Sequence, residues 1–110
     1  MKKAKIFIEG TLVGHLIEWK KNHQYEFAYF ESYSGPSISL TMPLTQRVYL
    51  FDRFPPFFAG FLPEGLMLEA LLQKAKLDSD DRFEQLLRVG EELVGNITVE
   101  RENEPMSNHL

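Results

Sequence analysis

Residues 54–65, Phe54-Pro55-Pro56-Phe57-Phe58-Ala59-Gly60-Phe61-Leu62-Pro63-Glu64-Gly65, leave the backbone few choices. The Pro55-Pro56 pair removes two backbone donors and fixes two φ angles, so no central strand runs through it. The same stretch holds four of the chain's nine phenylalanines. Each ring brings roughly 150–250 Å² of surface that a small domain must bury. A rigid knot, irregular or folded into a single helical turn, is therefore expected to carry these rings into the core. Leu62-Pro63-Glu64-Gly65 then reads as the start of a helix. Pro63 suits the first helical turn and Glu64 complements the dipole there, while Gly65 is a poor helix former tolerated early or at a close contact. As the hinge of a core the phenylalanines are fully explained. Gly65, Leu66 and Met67 are not, because they open the next helix with no polar residue between them.

The chain before the knot reads as strands and the chain after it as helices. A strand is predicted over 3–8, with Ile6 and Ile8 on one face, then a tight turn at Glu9-Gly10 and a second strand over 11–18 ending near Trp19, a packing residue. A third spans 23–30, where Tyr25, Phe27 and Tyr29 alternate with Gln24, Glu26 and Ala28. Residues 37–44 alternate hydroxyl and apolar side chains and are expected to be extended up to Pro43; residues 47–51 form a short β-type run. The first helix is predicted over 63–75, with Leu62, Leu66, Met67, Ala70, Leu71 and Ala75 near one face and Leu68 and Leu72 widening that stripe. Asp78-Ser79-Asp80-Asp81 caps a second helix over 81–89, in which Phe83, Leu86 and Leu87 fall at i, i+3, i+4. Gly90 ends it, and a last strand covers 96–100. The fold class is α+β: a mainly antiparallel sheet from the N-terminal half, packed by two C-terminal helices, with a final short strand. One domain over 1–101 is expected, with a polar tail over 102–110 that frays. The predicted core holds Ile6, Ile8, Phe27, Leu40, Leu71, Phe83 and Leu87.

Several function classes fall away. A net charge of −4 over 110 residues, with a pI near 5.3, argues against direct nucleic acid binding. The absence of cysteine excludes disulfides and thiolate metal sites and fits a reducing cytoplasm. The apolar run after Met1-Lys2-Lys3-Ala4-Lys5 breaks at Glu9-Gly10, too short for a signal peptide, and no run approaches a membrane span. His15, His23 and His109 lie far apart, so no metal site is expected. No phosphate loop is present: Phe-Leu-Pro-Glu separates Gly60 from Gly65, and no Lys-Ser/Thr comes after. Asp80-Asp81 is explained as capping, Glu91-Glu92 as a solvated turn, and Ser37, Ser39 and Thr41 have no partner base in view. Neither catalysis nor a cofactor is therefore expected. A chain without catalytic groups, yet richer in Phe and Leu than its core requires, reads as a partner-binding module.

Three segments carry a resemblance. Ser37-x-Ser39-Leu40-x-Met42-Pro43-Leu44, Phe57-Phe58-x-Gly60-x-Leu62-Pro63-Glu64-Gly65, and Asp81-x-Phe83-x-x-Leu86-Leu87-x-x-Gly90-x-Glu92-x-x-Gly95-Asn96-Ile97, in this order, resemble the N-terminal subdomain of HipA-type serine/threonine kinases. Gly10 and Val13-Gly14 fit the start of the same subdomain, and the likeness covers nearly the whole chain. In HipA-like kinases a much longer kinase body comes next, whereas here the sequence ends at Leu110. The chain thus looks like the free-standing form, the HipS-like antitoxin of tripartite HipBST toxin–antitoxin systems. The resemblance implies a non-enzymatic antitoxin that binds and neutralises a separate HipT-like serine/threonine kinase toxin, in a complex with a HipB-like helix-turn-helix DNA-binding protein. The alternative is a split lobe that completes or stabilises the partner kinase without inhibiting it. A third class, a small-ligand-binding β-domain, would use the Phe cluster as its pocket. The expected partner-binding residues are Phe57, Phe58, Phe61, Glu64, Gly65, Leu66 and Met67.

Overall fold

Side-chain alternation builds the sheet, and the aromatic knot closes it. The computed structural model describes residues 1–90 and 96–102. Its elements are β1 (Lys2–Ile8), β2 (Thr11–Lys20), β3 (Gln24–Tyr29), β4 (Val48–Phe51), α1 (Pro56–Ala59), α2 (Gly65–Ala75), α3 (Arg82–Val89) and β5 (Ile97–Arg101). The five strands form one antiparallel sheet in the order β4-β3-β2-β1-β5. The expected α+β architecture is the observed one. Glu9 and Gly10 turn β1 into β2 with φ of 48° and 81°, a two-residue hairpin loop with both residues left-handed.

Register sorts the side chains. Ala4, Leu16 and Phe27 lie opposite one another across three strands, and Ile6 faces Val99 across β1 and β5. These residues, with Tyr25 and Tyr29, bury one face of the sheet. The knot covers that face. Phe54 meets Tyr25 edge-on at 5.4 Å, and Phe58 lies tilted against Phe27 at 5.8 Å. Pro55 and Pro56 make the single turn of α1, in which the Phe58 and Ala59 amides donate to the Pro55 carbonyl. Phe83 and Leu86 of α3 complete the same cluster.

Buried polar groups are paired. The Tyr25 hydroxyl donates to the buried Glu18 carboxylate at 2.8 Å and accepts from the Asn22 amide at 2.9 Å. Burial, joined by the Glu18 carboxylate against the opposing Asn22 amide, pushes the Tyr25 phenol up to about 12. It therefore stays a donor at any physiological pH. Gln85, also buried, donates from Nε2 to the Asp78 and Ser79 carbonyls and fixes the turn ahead of α3.

Several expectations need correction. Residues 37–44 form a closed loop and not an extended strand. Ser39 bridges Met42, Ser39 Oγ accepts from the Thr41 amide, and Ser37 Oγ accepts from the Leu44 amide. The hydroxyls that alternate along the segment fold its backbone back on itself. Leu40, at the apex, is wholly exposed and not core. Trp19 is half-exposed, its indole N–H donating to Glu26, so it is no core packing residue. Pro63 lies outside the helix, because Glu64 is extended (φ −131°, ψ 164°) and α2 begins only at Gly65. Ile8, Leu71 and Leu87 are half-buried, whereas Ile6, Phe27 and Phe83 are fully buried. Glu91, Glu92, Gly95, His109 and the rest of the expected tail from 103 on lie outside the described residues.

Candidate functional site

The surface that stands out is the head of α2. Its eleven residues include five large apolar side chains, Leu66, Met67, Leu68, Leu71 and Leu72, yet none of its residues is buried. At 100° per residue these five cannot share one inward direction. Leu68, Leu71, Leu72 and Ala75, at i, i+3, i+4 and i+7, are half-buried and make the inward stripe. Helix α3 is the element that α2 packs against. The predicted stripe through Leu66, Met67 and Ala70 is therefore displaced: all three are exposed, Leu66 by 82% and Met67 by 74%.

Backbone geometry sets this display. Gly65 has a φ of +59°, a left-handed value that glycine adopts without steric cost, and nothing lies within 4 Å of where its Cβ would be. Pro63 fixes its own φ, Glu64 is extended, and Gly65 reverses the sense of the chain, so Leu66 and Met67 leave the knot at a defined angle. The Glu64 side chain makes no capping bond and is exposed beside them. At the other end Lys76 adopts the left-handed cap (φ 55°), and the Leu77 amide returns to the Leu72 carbonyl.

The expected site residues divide. Phe57, Phe58 and Phe61 come together edge-on, with centroids 5.1 Å apart for Phe57–Phe58 and 5.3 Å for Phe57–Phe61. Phe58 is fully buried, so it supports this surface from beneath and offers no area of its own. Phe57 and Phe61 are half-buried, and Glu64, Gly65, Leu66 and Met67 are exposed. Burying an exposed Leu or Met side chain against a partner contributes roughly 1.5–3 kcal/mol. The first turn of α2 is thus chemically an apolar plug with an acidic neighbour. Among the described residues no group of three His, Asp or Glu side chains is placed to hold a metal ion.

Sequence reasoning overlooked a second exposed apolar group, Val48 and Leu50 of β4 with Trp19 close by. The run Val48-Tyr49-Leu50-Phe51 carries no charged residue, but its place at the sheet's edge is set by the fold.

With this geometry in hand, comparisons with known proteins place the chain. The family model described as HipA N-terminal domain matches residues 4–100. The chain belongs to the HipA N-terminal domain family. A solved structure titled "N-terminal domain of HipA toxin" superposes with a TM-score of 0.74 at 29% identity, covering 96% of each chain. An uncharacterised protein of Haemophilus influenzae is 29% identical over 105 residues, 94% of this chain and 96% of that protein. The matched family region spans both the β4 edge and α2, so the α2 head belongs to the HipA N-terminal domain itself. No helix among the described residues is long and apolar enough to cross a membrane.

Proposed function

We propose that this HipA N-terminal domain acts as an antitoxin, without catalytic activity of its own, that binds and neutralises a separate HipA/HipT-like serine/threonine kinase. A HipB-like DNA-binding protein joins the complex and makes the contacts to nucleic acid. The observation that carries this reading is the exposure of Leu66 and Met67 at the head of a helix with no buried residue. Such a helix contributes little to its own domain and offers apolar surface to another. Its head emerges from a proline- and glycine-defined bend, so presenting the plug costs little ordering entropy. A Met beside a Leu adapts to an irregular apolar cleft of the kind a kinase offers between its lobes. Glu64 adds a carboxylate able to meet a basic group at the mouth of that cleft.

The test pairs folding with protection. Changing Leu66 and Met67 together to Asp should leave the circular dichroism spectrum and melting temperature near wild type. Cells expressing the kinase should then lose the growth that the wild-type chain restores. A folded double variant that protects as well as wild type would move inhibition to another surface. Kinase activity assayed with and without the chain separates this reading from the split-lobe alternative, which requires that activity not fall when the chain is added.

A further inference from the structure

The two edges of the sheet differ in how they meet solvent. Edge strand β5 ends in the exposed charges Glu100 and Arg101, a usual device against unwanted strand pairing. Edge strand β4, Val48-Tyr49-Leu50-Phe51, carries no charge within it. The Tyr29 amide donates to the Arg47 carbonyl, so in the antiparallel ladder the backbone groups of Arg47, Tyr49 and Phe51 face β3. Those of Val48 and Leu50 face outward. Gln46 Nε2 occupies the Val48 carbonyl at 2.6 Å. Among the described residues nothing bonds the Val48 N–H, the Leu50 N–H or the Leu50 carbonyl, which form a row open to an added strand. On the outer face of the sheet Leu50 is 75% and Val48 43% exposed. Beside them opens a cavity of about 850 Å³, lined by Trp19, Leu50, Asp52 and Arg53 among others.

We propose that the free edge of β4 is a second docking site, which accepts an extended acidic segment of another polypeptide as a sixth strand. Charge selects this occupant. Arg47 and Arg53 bracket the strand, and neither pairs with a carboxylate among the described residues. The Arg47 guanidinium is spent on the Phe30 and Tyr33 carbonyls, which leave its charge uncompensated. Glu26, the carboxylate across from Leu50 on β3, is turned to the Trp19 indole. Asp52 follows the strand, and Asp80, which shares a pocket with Arg53, is turned to Lys21. An incoming strand with an apolar residue opposite Leu50 and Asp or Glu three residues to either side meets both arginines, and a side chain on its outer face reaches the Trp19 cavity. A second copy of this chain fits poorly. Two-fold pairing centred on Leu50 sets Arg47 against Arg53 twice, and pairing Val48 with Leu50 requires the carbonyl that Gln46 already holds. This site stands apart from the α2 head and does not depend on it.

A library of random linear dodecapeptides, displayed on phage and selected against the full chain, tests the proposal. Selected peptides should alternate apolar residues and carry Asp or Glu three positions from a central one. A synthetic copy of the strongest should shift the Val48 and Leu50 amide resonances. It should bind Leu50→Lys about tenfold more weakly, and bind the Leu66→Asp/Met67→Asp variant within about twofold of wild type. Arg53→Glu should select peptides with Lys or Arg at the position facing residue 53 and an acidic residue still at the position facing Arg47. Failure to select any peptide, selection without a charge preference, or indifference to Leu50→Lys would overturn the proposal. So would a wild-type dimer in sedimentation that Leu50→Lys dissolves, since the edge would then belong to a second copy.

Discussion

Helices α2 and α3 are similar in length and opposite in attachment. α3 buries Phe83, Gln85 and Leu86 and is capped by Asp81, whose side chain accepts from the Glu84 amide. Glu84 staples it to the sheet, receiving Lys2 of β1 at 2.8 Å and Arg101 of β5. α2 has no fully buried residue and no side-chain cap, and begins on a left-handed glycine. It is also the more apolar of the two, so hydrophobicity alone does not decide which helix joins the core. The difference lies in period and anchorage. In α3 the apolar residues Phe83, Leu86 and Leu87 form a narrow stripe that one sheet can absorb. In α2 the apolar arc is too wide for a single partner, and part of it must meet solvent or another protein.

Phe83→Ala strains this contrast most. The ring is fully buried, and its loss should lower stability by about 3–5 kcal/mol. An unchanged denaturant midpoint would break the assignment of α3 as the anchored helix. Acid should loosen the same staple. Burial alone would raise the Glu84 carboxyl, but Lys2 and Arg101 outweigh it and hold it below the ordinary value of 4.5. Glu102 is likewise lowered against its burial by His15 and Lys3. Because both are depressed in the folded chain, their stabilising contribution is full above pH 4.5 and is lost as the pH falls through the lowered values. Thermal melts of wild type and Glu84→Gln should therefore converge on acidification below that point; parallel curves would contradict the staple. Asp81→Ala should cost about 1 kcal/mol by removing the cap. At the small end, Leu66→Ser with Met67→Ser should change stability by less than about 0.5 kcal/mol, since neither side chain is buried. A large loss there would show that α2 is anchored after all.

Much of this was legible in the chain. The alternation of Tyr25, Phe27 and Tyr29 marked β3, an interior strand, Glu9-Gly10 marked the β1–β2 hairpin beside it, and Phe83 with Leu86 marked the inward face of α3. These signals are local, and local geometry decides them. What escaped depended on distant partners. The burial of Gln85 results from the Asp78 and Ser79 carbonyls that receive it. Leu40 looked like core because its segment alternates, but the intervening hydroxyls bond to their own backbone and carry it out to the loop apex. In α2 the width of the apolar arc showed that some residues must be exposed. Which ones depended on the Glu64–Gly65 backbone, and Pro63 suggested a helix start two residues too early. The β4 surface was missed because a four-residue strand reads the same whether it lies at a sheet's centre or its edge.

Amide hydrogen exchange on the free chain and on its complex with a HipA-type kinase tests the central claim most directly. In the free chain the amides of α2 should exchange faster than those of α3, reflecting a helix held by half-buried side chains alone. In the complex the largest slowing should fall on residues 65–72, with α3 little changed. Protection unchanged at 65–72 in a kinase complex that is inhibited would contradict the account and place the neutralising contact elsewhere.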